Sequence, residues 1–356
     1  MRNLNKLSAS QLLACKEPEK LFTGSIEQVK QEYKALVLLW HPDQRGNHSE
    51  VISTFLHIQK LYQEAVRKLE SNNWIEPADK IENEKPNEKR WRVINEALQF
   101  RTIQYKSCFD FVLGNCYIAN NIVVYEIKNE YKDLFNNAML SINSFKFSDH
   151  AMQAKMMECL PQVITTFKTQ THSIVVLRKT PDLLLLKDLL AHYGGSLANV
   201  DKGHVGWILN TLYNIACYLQ YSNLTHNDIS LETVFVSPLK HTAMLLGGWW
   251  YSKPMGARMA VLPSTTIKFT PPDILKNKYA DTRVDLELIK QIGRTVLGGV
   301  NRFSDLPKPL VNFLTMPSPG SAVDDYALYR DKVLRESFGP PKFVKLDITA
   351  DELYKE

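Results

Sequence analysis

A charged segment without apolar periodicity interrupts the 356-residue chain well before its middle. It reads WIEPADKIENEKPNEKR, and its two prolines oppose a continuous helix or strand. Such a composition is typical of a linker, which we place at residues 73–92. A chain of this length also suits two domains on the usual distribution of domain sizes. The parts on either side of the segment are therefore interpreted separately.

The composition is that of a globular protein, with 44% hydrophobic and 23% charged residues. No apolar run approaches the roughly 20 residues of a membrane span, and the start MRNLNKLSASQLLACKEPEK lacks the apolar core of a signal peptide. We therefore expect a cytoplasmic protein with no membrane partner. The net charge of +5 comes from basic residues interleaved with acids, so no nucleic-acid partner is expected.

The cysteines and histidines form no pattern typical of a metal site. The five cysteines are scattered, with no C-x-x-C pair, and the nine histidines show no H-E-x-x-H spacing. Neither a disulfide framework nor a zinc site is predicted. We expect buried thiols, no bound metal and no cofactor.

Two amphipathic helices are predicted in the first part of the chain, in IEQVKQEYKALVLLW and VISTFLHIQKLYQEAVRKLE, where apolar residues recur at helical spacing. Their stripes contain Val29, Tyr33, Leu36, Val37 and Trp40, and then Ile52, Phe55, Ile58, Leu61 and Tyr62. The polar stretch HPDQRGNHSE between them predicts a loop, so the two helices are expected to pack antiparallel as an all-α hairpin. Residues 1–19 are a polar lead-in with room for one short helix.

The tripeptide His41-Pro42-Asp43 directly follows the first of these helices. In this position it resembles the HPD loop of the J-domain family, and the resemblance covers residues 20–72. The resemblance implies a co-chaperone that stimulates the ATPase of a DnaK-type heat-shock chaperone. Asp43 would pair with an arginine of the chaperone, and His41 and Pro42 would shape that contact. The alternative is that the three residues only cap the helix, stop it and begin a turn.

The outer face of the first helix departs from the J-domain pattern. That family usually carries several basic residues there, whereas this face reads Lys34, Ala35, Leu38 and Leu39. Electrostatic steering towards a chaperone is therefore expected to be weaker. Because clustered exposed apolar residues tend to mark an interface, we predict that this face docks on the second domain or on a specialised partner. The alternative is that the helix is buried more fully inside its own domain.

The second part of the chain predicts an α+β, two-lobed domain over residues 93–348, followed by a tail at residues 349–356. Short apolar segments alternate with polar turns from about residue 98 to residue 180, and DHAMQAKMMECL, after Ser148 as N-cap, is typical of a helix. Beyond Pro181 the periodicity becomes helical, in LLLLKDLLAHY, VGWILNTLYNIACYLQYS and DLELIKQIGRTVLGG. A sheet-rich half is thus followed by a helical half.

The segment LTHNDISLETVFV resembles the catalytic loop of protein kinases, with His226 and Asp228 at matching positions. Its surroundings agree, since FTPPDIL resembles the A-P-E segment and DTRVDLELIKQIG resembles the following helix with its buried aspartate, here Asp285. Upstream, VVYEIK offers Lys128 where the third strand of a kinase carries a lysine. The resemblance implies a protein-kinase-like fold over the second part of the chain.

The residues that would hold magnesium are missing. Phosphoryl transfer needs metal ions held by the catalytic-loop Asn and the D-F-G aspartate. Here Thr233 takes the Asn position, Leu246 or Gly247 takes the aspartate position, and no acid occurs between Glu232 and Asp273. The glycine-rich phosphate loop is reduced to Gly114, and Glu158 and Asp149 are the acids nearest to a partner for the strand lysine. The domain is therefore interpreted as a pseudokinase without confident catalytic residues.

Three functions are compatible with these patterns. The first is a co-chaperone and adaptor whose pseudokinase binds an unknown client protein. The second is an atypical protein or small-molecule phosphotransferase that retains Asp228 and Lys128 and is tethered to a chaperone. The third is a J-like interface that no longer contacts a chaperone. For His226 and Asp228 we expect a bracing role in the loop rather than contact with a substrate, and the former nucleotide cleft is a candidate pocket for a peptide.

Overall fold

The computed structural model describes residues 7–45, 48–71, 73–74, 89–95 and 100–355. The chain divides into two compact units, Met1–Tyr105 and Lys106–Glu356. This division lies beyond residue 93, where the sequence predicts that the kinase-like domain begins, because a β-hairpin belongs to the first unit. Most of the predicted linker, residues 75–88, lies outside the described residues.

The first unit contains five helices and one hairpin among its described residues. They are α1 (Ala9–Ala14), α2 (Pro18–Leu21), α3 (Ile26–Trp40), α4 (Pro42–Arg45), α5 (Ser49–Glu70), β1 (Arg90–Ile94) and β2 (Phe100–Gln104), the two strands pairing antiparallel. The core of the helices is apolar and includes Phe22, Leu36 and Ile58. The predicted lead-in contributes to it, since α1 buries Leu12 and the His57 ring hydrogen-bonds the Cys15 carbonyl at 2.7 Å.

Helices α3 and α5 form where the apolar periodicity predicts them, and they run antiparallel. Midway along α3 the rings of Tyr33 and Tyr62 stack with centroids 3.9 Å apart, and just after the end of α3 His41 meets Phe55 edge to face at 5.5 Å. Aromatic pairs of this kind add about 0.5–1.5 kcal/mol beyond the area they bury. These contacts therefore hold α5 against the middle of α3 and against the residue that follows α3.

The second unit begins with a five-stranded antiparallel sheet. Its strands are β3 (Ser107–Phe111), β4 (Gly114–Ile118), β5 (Ile122–Lys128), β6 (Val163–Lys168) and β7 (His172–Arg178), in the spatial order β3-β4-β5-β7-β6. Two helices, α6 (Lys132–Asn143) and α7 (His150–Met156), connect β5 to β6. The sheet order follows from hairpins at β3-β4-β5 and β6-β7, because the helices return the chain to the far edge.

Helix α6 was not predicted, and α7 is shorter than its apolar pattern suggests. Phe135, Ala138 and Ile142 of α6 recur at helical spacing and are buried. Helix α7 is capped by Asp149, whose carboxylate accepts the Met152 amide at 2.7 Å, rather than by Ser148 as predicted. Asp is a strong N-cap because its side chain satisfies an otherwise unpaired amide.

The rest of the second unit is mainly helical. Its elements are β8 (Leu184–Leu185), α8 (Leu186–His192), α9 (His204–Tyr221), β9 (Leu224–Thr225), β10 (Val234–Ser237), β11 (Thr242–Leu245), β12 (Lys253–Pro254), α10 (Ser264–Ile267), α11 (Pro272–Asn277), α12 (Thr282–Val296), α13 (Lys308–Thr315), α14 (Ala322–Leu328), α15 (Leu334–Phe338) and α16 (Ala350–Leu353). Helix α9 lies at the centre of this half, with most of its residues buried.

The segment predicted to be a tail packs onto the second unit. Helix α16 carries a capping box at Thr349, Lys106 forms an ion pair with Asp351, and the Leu185 amide donates to the Tyr354 hydroxyl at 3.3 Å. Apolar Ile348 and Ala350 join the core of the unit. The described residues of the tail predicted at residues 349–356 therefore form a short helix that packs on the second unit.

Candidate functional site

The HPD tripeptide lies at the junction between α3 and α4. His41 follows α3 in an extended conformation, with its ring against Phe55, and Pro42 begins the single turn of α4. The predicted polar loop thus starts with a helical turn, closed by the Arg45 amide bonding the His41 carbonyl at 3.1 Å. The backbone of Asp43 lies in this turn, and its side chain is outside the described part of the structure.

The apolar outer face predicted on α3 is smaller than its sequence suggests. Leu38 is 65% exposed and Lys34 is also exposed, but Leu39 packs against the core of the first unit and Ala35 is half-buried. The prediction that all three apolar residues form an outer patch is therefore wrong for Leu39, because α3 is buried over a broader arc than an isolated two-helix hairpin requires.

In the second unit, the loop after β9 is held by an aspartate of α12. Asp285 is 1% exposed, and its two carboxylate oxygens accept the backbone amides of His226 and Asn227, each at 2.7 Å. Asn227 adopts a left-handed conformation at φ 66°, which turns both amides towards the same side chain. Burial raises the pKa of Asp285 to about 7 against the opposing effect of these two hydrogen bonds.

His226 braces this loop from inside. Its ring Nδ1 accepts the Asp228 amide at 3.2 Å, so Nε2 carries the proton and donates to the Gly247 carbonyl at 3.0 Å. Burial lowers the pKa of His226 to about 3, which keeps the ring neutral. His226 therefore connects the loop to the turn after β11 and does not face solvent.

Thr233 also serves the loop backbone. Its hydroxyl donates to the Asp228 carbonyl at 2.7 Å and accepts the Ser230 amide at 2.8 Å. The Thr233 hydroxyl is thereby engaged with the main chain.

Gly247 and Gly248 occupy a crowded turn. A Cβ at Gly247 would lie 2.6 Å from the Tyr125 hydroxyl, and one at Gly248 would lie 2.5 Å from the His226 ring. Gly248 also has φ 82°, which a side chain would strain. The turn therefore has no room for an aspartate at position 247 as long as Tyr125 keeps its place.

Lys128 does not line the cleft beside this loop. It ends β5 opposite His172 and is exposed, whereas Tyr125, three residues earlier, is 1% exposed and forms part of the cleft wall. Successive residues of a strand point to opposite faces, and Val123, Tyr125 and Ile127 of β5 face the core. The alternation of faces along this strand is the sequence signal that points to Tyr125 as the residue in the cleft wall. The position of its one lysine does not point there.

Helix α6 packs on the turn Trp249–Tyr251. The side chain that α6 directs at this turn is the amide of Asn137, whereas an ion pair with the strand lysine would need a carboxylate. The Asn137 side chain donates to the carbonyls of Trp250 and Ser252 at 3.0 and 2.9 Å and accepts from Lys253 at 3.0 Å. The predicted ion-pair candidates Asp149 and Glu158 both lie beyond this helix, and neither lines the cleft.

The cleft has a volume of about 620 Å³ and an aromatic wall. Phe111 stacks on Trp250 at 5.5 Å, and Tyr125 meets Trp250 edge to face at 4.9 Å. Its lining also includes Phe109, Asp110, Val112, Lys187, Asp228, Ser230, Leu231, Glu232, Thr233, Gly247, Tyr251, Pro263, Ser264 and Thr265. Three aromatic rings that contact one another thus form one wall of the cleft.

The charges in this cleft are mainly acidic. Asp110, Asp228 and Glu232 line it together with one cation, Lys187, which is 2.7 Å from Glu232 and lies over the Phe109 ring. Burial, with the like charges of Glu232 and Asp285, raises the pKa of Asp228 well above its usual range. Within the described ranges, no cluster of three or more His, Cys, Asp or Glu side chains is arranged to hold a metal ion.

No protein-family model matches the chain, and comparison with curated proteins finds no similar sequence. Among solved structures, it is similar to the kinase domain of a Toxoplasma gondii specific rhoptry antigen, with 12% identity and a TM-score of 0.46 over 72% of this chain and 89% of the other. At that level the match carries no argument. The second unit is described by its own features, a five-stranded antiparallel sheet followed by a mainly helical half. No helix in the described ranges has the length and apolarity to cross a membrane.

Proposed function

We propose that this protein is a J-domain co-chaperone and adaptor that stimulates a DnaK-type chaperone, with a kinase-like unit that binds a client or partner and transfers no phosphate. The observation that carries the proposal is the HPD tripeptide directly after α3, with His41 packed on Phe55 of the antiparallel helix α5. A ring held at that junction presents the tripeptide in one defined conformation, as a docking loop requires.

The proposed partner contact comprises His41, Pro42 and Asp43 together with the exposed side chains of Lys34 and Leu38. Leu39 is left out because it packs inside the first unit. Two exposed basic residues, Lys34 and Arg45, lie near this end of α3, so the contact relies on shape as well as on charge, and its rate should depend only modestly on salt.

The proposal that the second unit is not a kinase rests on three features of the cleft. Lys128 does not line it whereas Tyr125 does, the Thr233 hydroxyl is engaged by the backbone, and Gly247 has no room for a carboxylate while Tyr125 keeps its place. Asp228 lines the cleft and favours the phosphotransferase alternative. A base alone supplies about two to four decades of rate and leaves phosphate charge unneutralised, so we prefer the binding role.

The test is steady-state ATP hydrolysis by a DnaK-type chaperone with and without the full chain. We expect stimulation by the natural protein and its loss in His41→Gln. The matched control is His48→Gln, because His48 is an exposed histidine at the start of α5 with no side-chain capping bond. Equal stimulation by both variants would refute the HPD assignment. No stimulation by the natural chain, with any DnaK-type chaperone of a representative panel, would favour the J-like interface.

The proposal for the second unit is tested by magnesium-dependent ATP binding in a thermal-shift titration. No stabilisation is expected up to millimolar nucleotide. Stabilisation that requires magnesium and disappears in Asp228→Asn would favour the atypical phosphotransferase instead.

A further inference from the structure

The carboxyl group of Asp228 lies in the cleft without a partner. Its backbone amide and carbonyl are bonded within the loop, but its side chain makes no hydrogen bond or ion pair with any residue that the structure describes. A partly buried carboxylate without a partner is costly, since desolvation is not offset by a cation or a donor. The site therefore favours a ligand that brings a cation or a donor to this group.

A second polar group without a strong partner lies in the wall of the same cleft. The Tyr125 hydroxyl, on a side chain that is 1% exposed, has no oxygen or nitrogen partner within the described ranges, and only the Cys116 thiol, a weak hydrogen-bonding group, lies beside it. Buried hydroxyls are normally hydrogen-bonded. The Asp228 carboxyl that lines the cleft and the Tyr125 hydroxyl buried in its wall thus both lack an oxygen or nitrogen partner among the described residues.

The charge and the walls of the cleft define which ligand fits. The acids Asp110, Asp228 and Glu232 outnumber the single lysine, which is itself paired with Glu232, so the cleft is unfavourable for a polyphosphate and favours a cation that would stabilise the ionised form of Asp228. The partly exposed ring of Phe111 adds to this preference, because aromatic rings attract ammonium and guanidinium groups by about 0.5–2 kcal/mol.

The size and opening of the cleft favour a peptide over a free amine. About 620 Å³ is within the range of pockets that hold ligands larger than one side chain. Its rim includes exposed Val112, Ser264 and Thr265, so a main chain can remain at the surface while one side chain enters.

We propose that this cleft binds a basic residue, lysine or arginine, of a client or partner polypeptide, with the cationic group at Asp228 and the aliphatic stem along Phe111. The proposal rests on the part of the proposed function in which the kinase-like unit binds and does not phosphorylate. It assigns a chemical class to what that unit recognises.

The test uses the full chain and three capped tripeptides, acetyl-Ala-Lys-Ala-amide, acetyl-Ala-Arg-Ala-amide and the neutral analogue with norleucine. Binding is followed by saturation-transfer NMR and by titration, since single basic residues are expected to bind in the millimolar range. The basic peptides should bind at least tenfold more tightly than the norleucine peptide. Asp228→Asn, which is nearly isosteric, should abolish that difference.

A second variant tests the proposal independently of whether Asp228→Asn folds. Glu232→Gln, at the half-exposed rim, releases Lys187 as a competing cation and should weaken the basic peptides several-fold. The control Asp133→Asn removes an exposed acid on α6 outside the cleft and should change nothing. Melting temperatures establish that each variant is folded.

Equal binding of lysine and norleucine peptides, or unchanged selectivity in Asp228→Asn, would overturn the proposal. Binding of n-butylamine as tight as the lysine peptide would overturn the assignment of a polypeptide. The HPD turn takes no part in this assay, so its failure leaves chaperone stimulation standing, and a failure of stimulation leaves peptide binding standing.

Discussion

Replacing Asp285 by alanine should destabilise the second unit more than any exposed substitution in α12. The 1%-exposed carboxylate accepts two backbone amides at 2.7 Å, and alanine would leave both amides buried without a partner. Each unsatisfied buried amide costs about 1–3 kcal/mol, so the expected loss in the free energy of unfolding is about 2–6 kcal/mol.

The assay is urea unfolding of the full chain followed by tryptophan fluorescence, since Trp249 meets the His226 ring at 4.7 Å and reports on this loop. The control is Asp281→Ala, which removes the N-cap of the same helix and should cost about 1 kcal/mol. The two units can unfold separately, so the transition that involves Trp249 is the one compared. A loss below 1 kcal/mol for Asp285→Ala would refute the reasoning that this side chain holds the loop.

Three further predictions concern the cleft and the lead-in. Gly247→Ala should lower the free energy of unfolding by about 1–3 kcal/mol, because its Cβ would lie 2.6 Å from the Tyr125 hydroxyl. Combining it with Tyr125→Phe should recover most of that loss. If the effects of the two substitutions are additive in a double-mutant cycle, the steric clash is refuted. Asp228 has a folded-state pKa raised above its unfolded value, so its contribution to stability is present at low pH and is lost as pH rises through the folded pKa. The Asp228→Asn variant should therefore be more stable than the natural protein at pH 8 but not at pH 3, which thermal melts at both pH values would show. A difference in melting temperature that is the same at both pH values would contradict the raised pKa of Asp228. Leu12→Ala should destabilise the first unit by about 2–5 kcal/mol if α1 belongs to its core, measured by unfolding followed by circular dichroism, whereas exposed Leu13→Ala should cost far less.

The parts of the fold that follow from local periodicity could be predicted. Helices α3 and α5 form where their apolar stripes predict them, although Ile52 of the predicted stripe is exposed and Val51 is buried instead. The buried position of Asp285 in α12 also agrees with the sequence prediction. Local signals of this kind survive because each stripe has to be buried somewhere.

What could not be predicted depends on contacts between distant segments. Leu12 and Tyr354 sit in short segments that look like a lead-in and a tail, and only tertiary packing makes them part of a core. The lysine of β5 does not point to Tyr125 as a residue of the cleft wall, because that depends on which residues of the strand share a face. Leu39 likewise packs against the core of the first unit and not on an outer face, which depends on how broadly α3 is buried.

The central claim, that the HPD turn drives a chaperone ATPase, is tested most directly by single-turnover hydrolysis of ATP already bound to a DnaK-type chaperone. This measurement isolates the hydrolysis step from nucleotide exchange. The account predicts that the full chain accelerates hydrolysis about tenfold or more, that His41→Gln removes the acceleration and that His48→Gln retains it. An unchanged hydrolysis rate with the natural chain at saturating concentration would contradict the account.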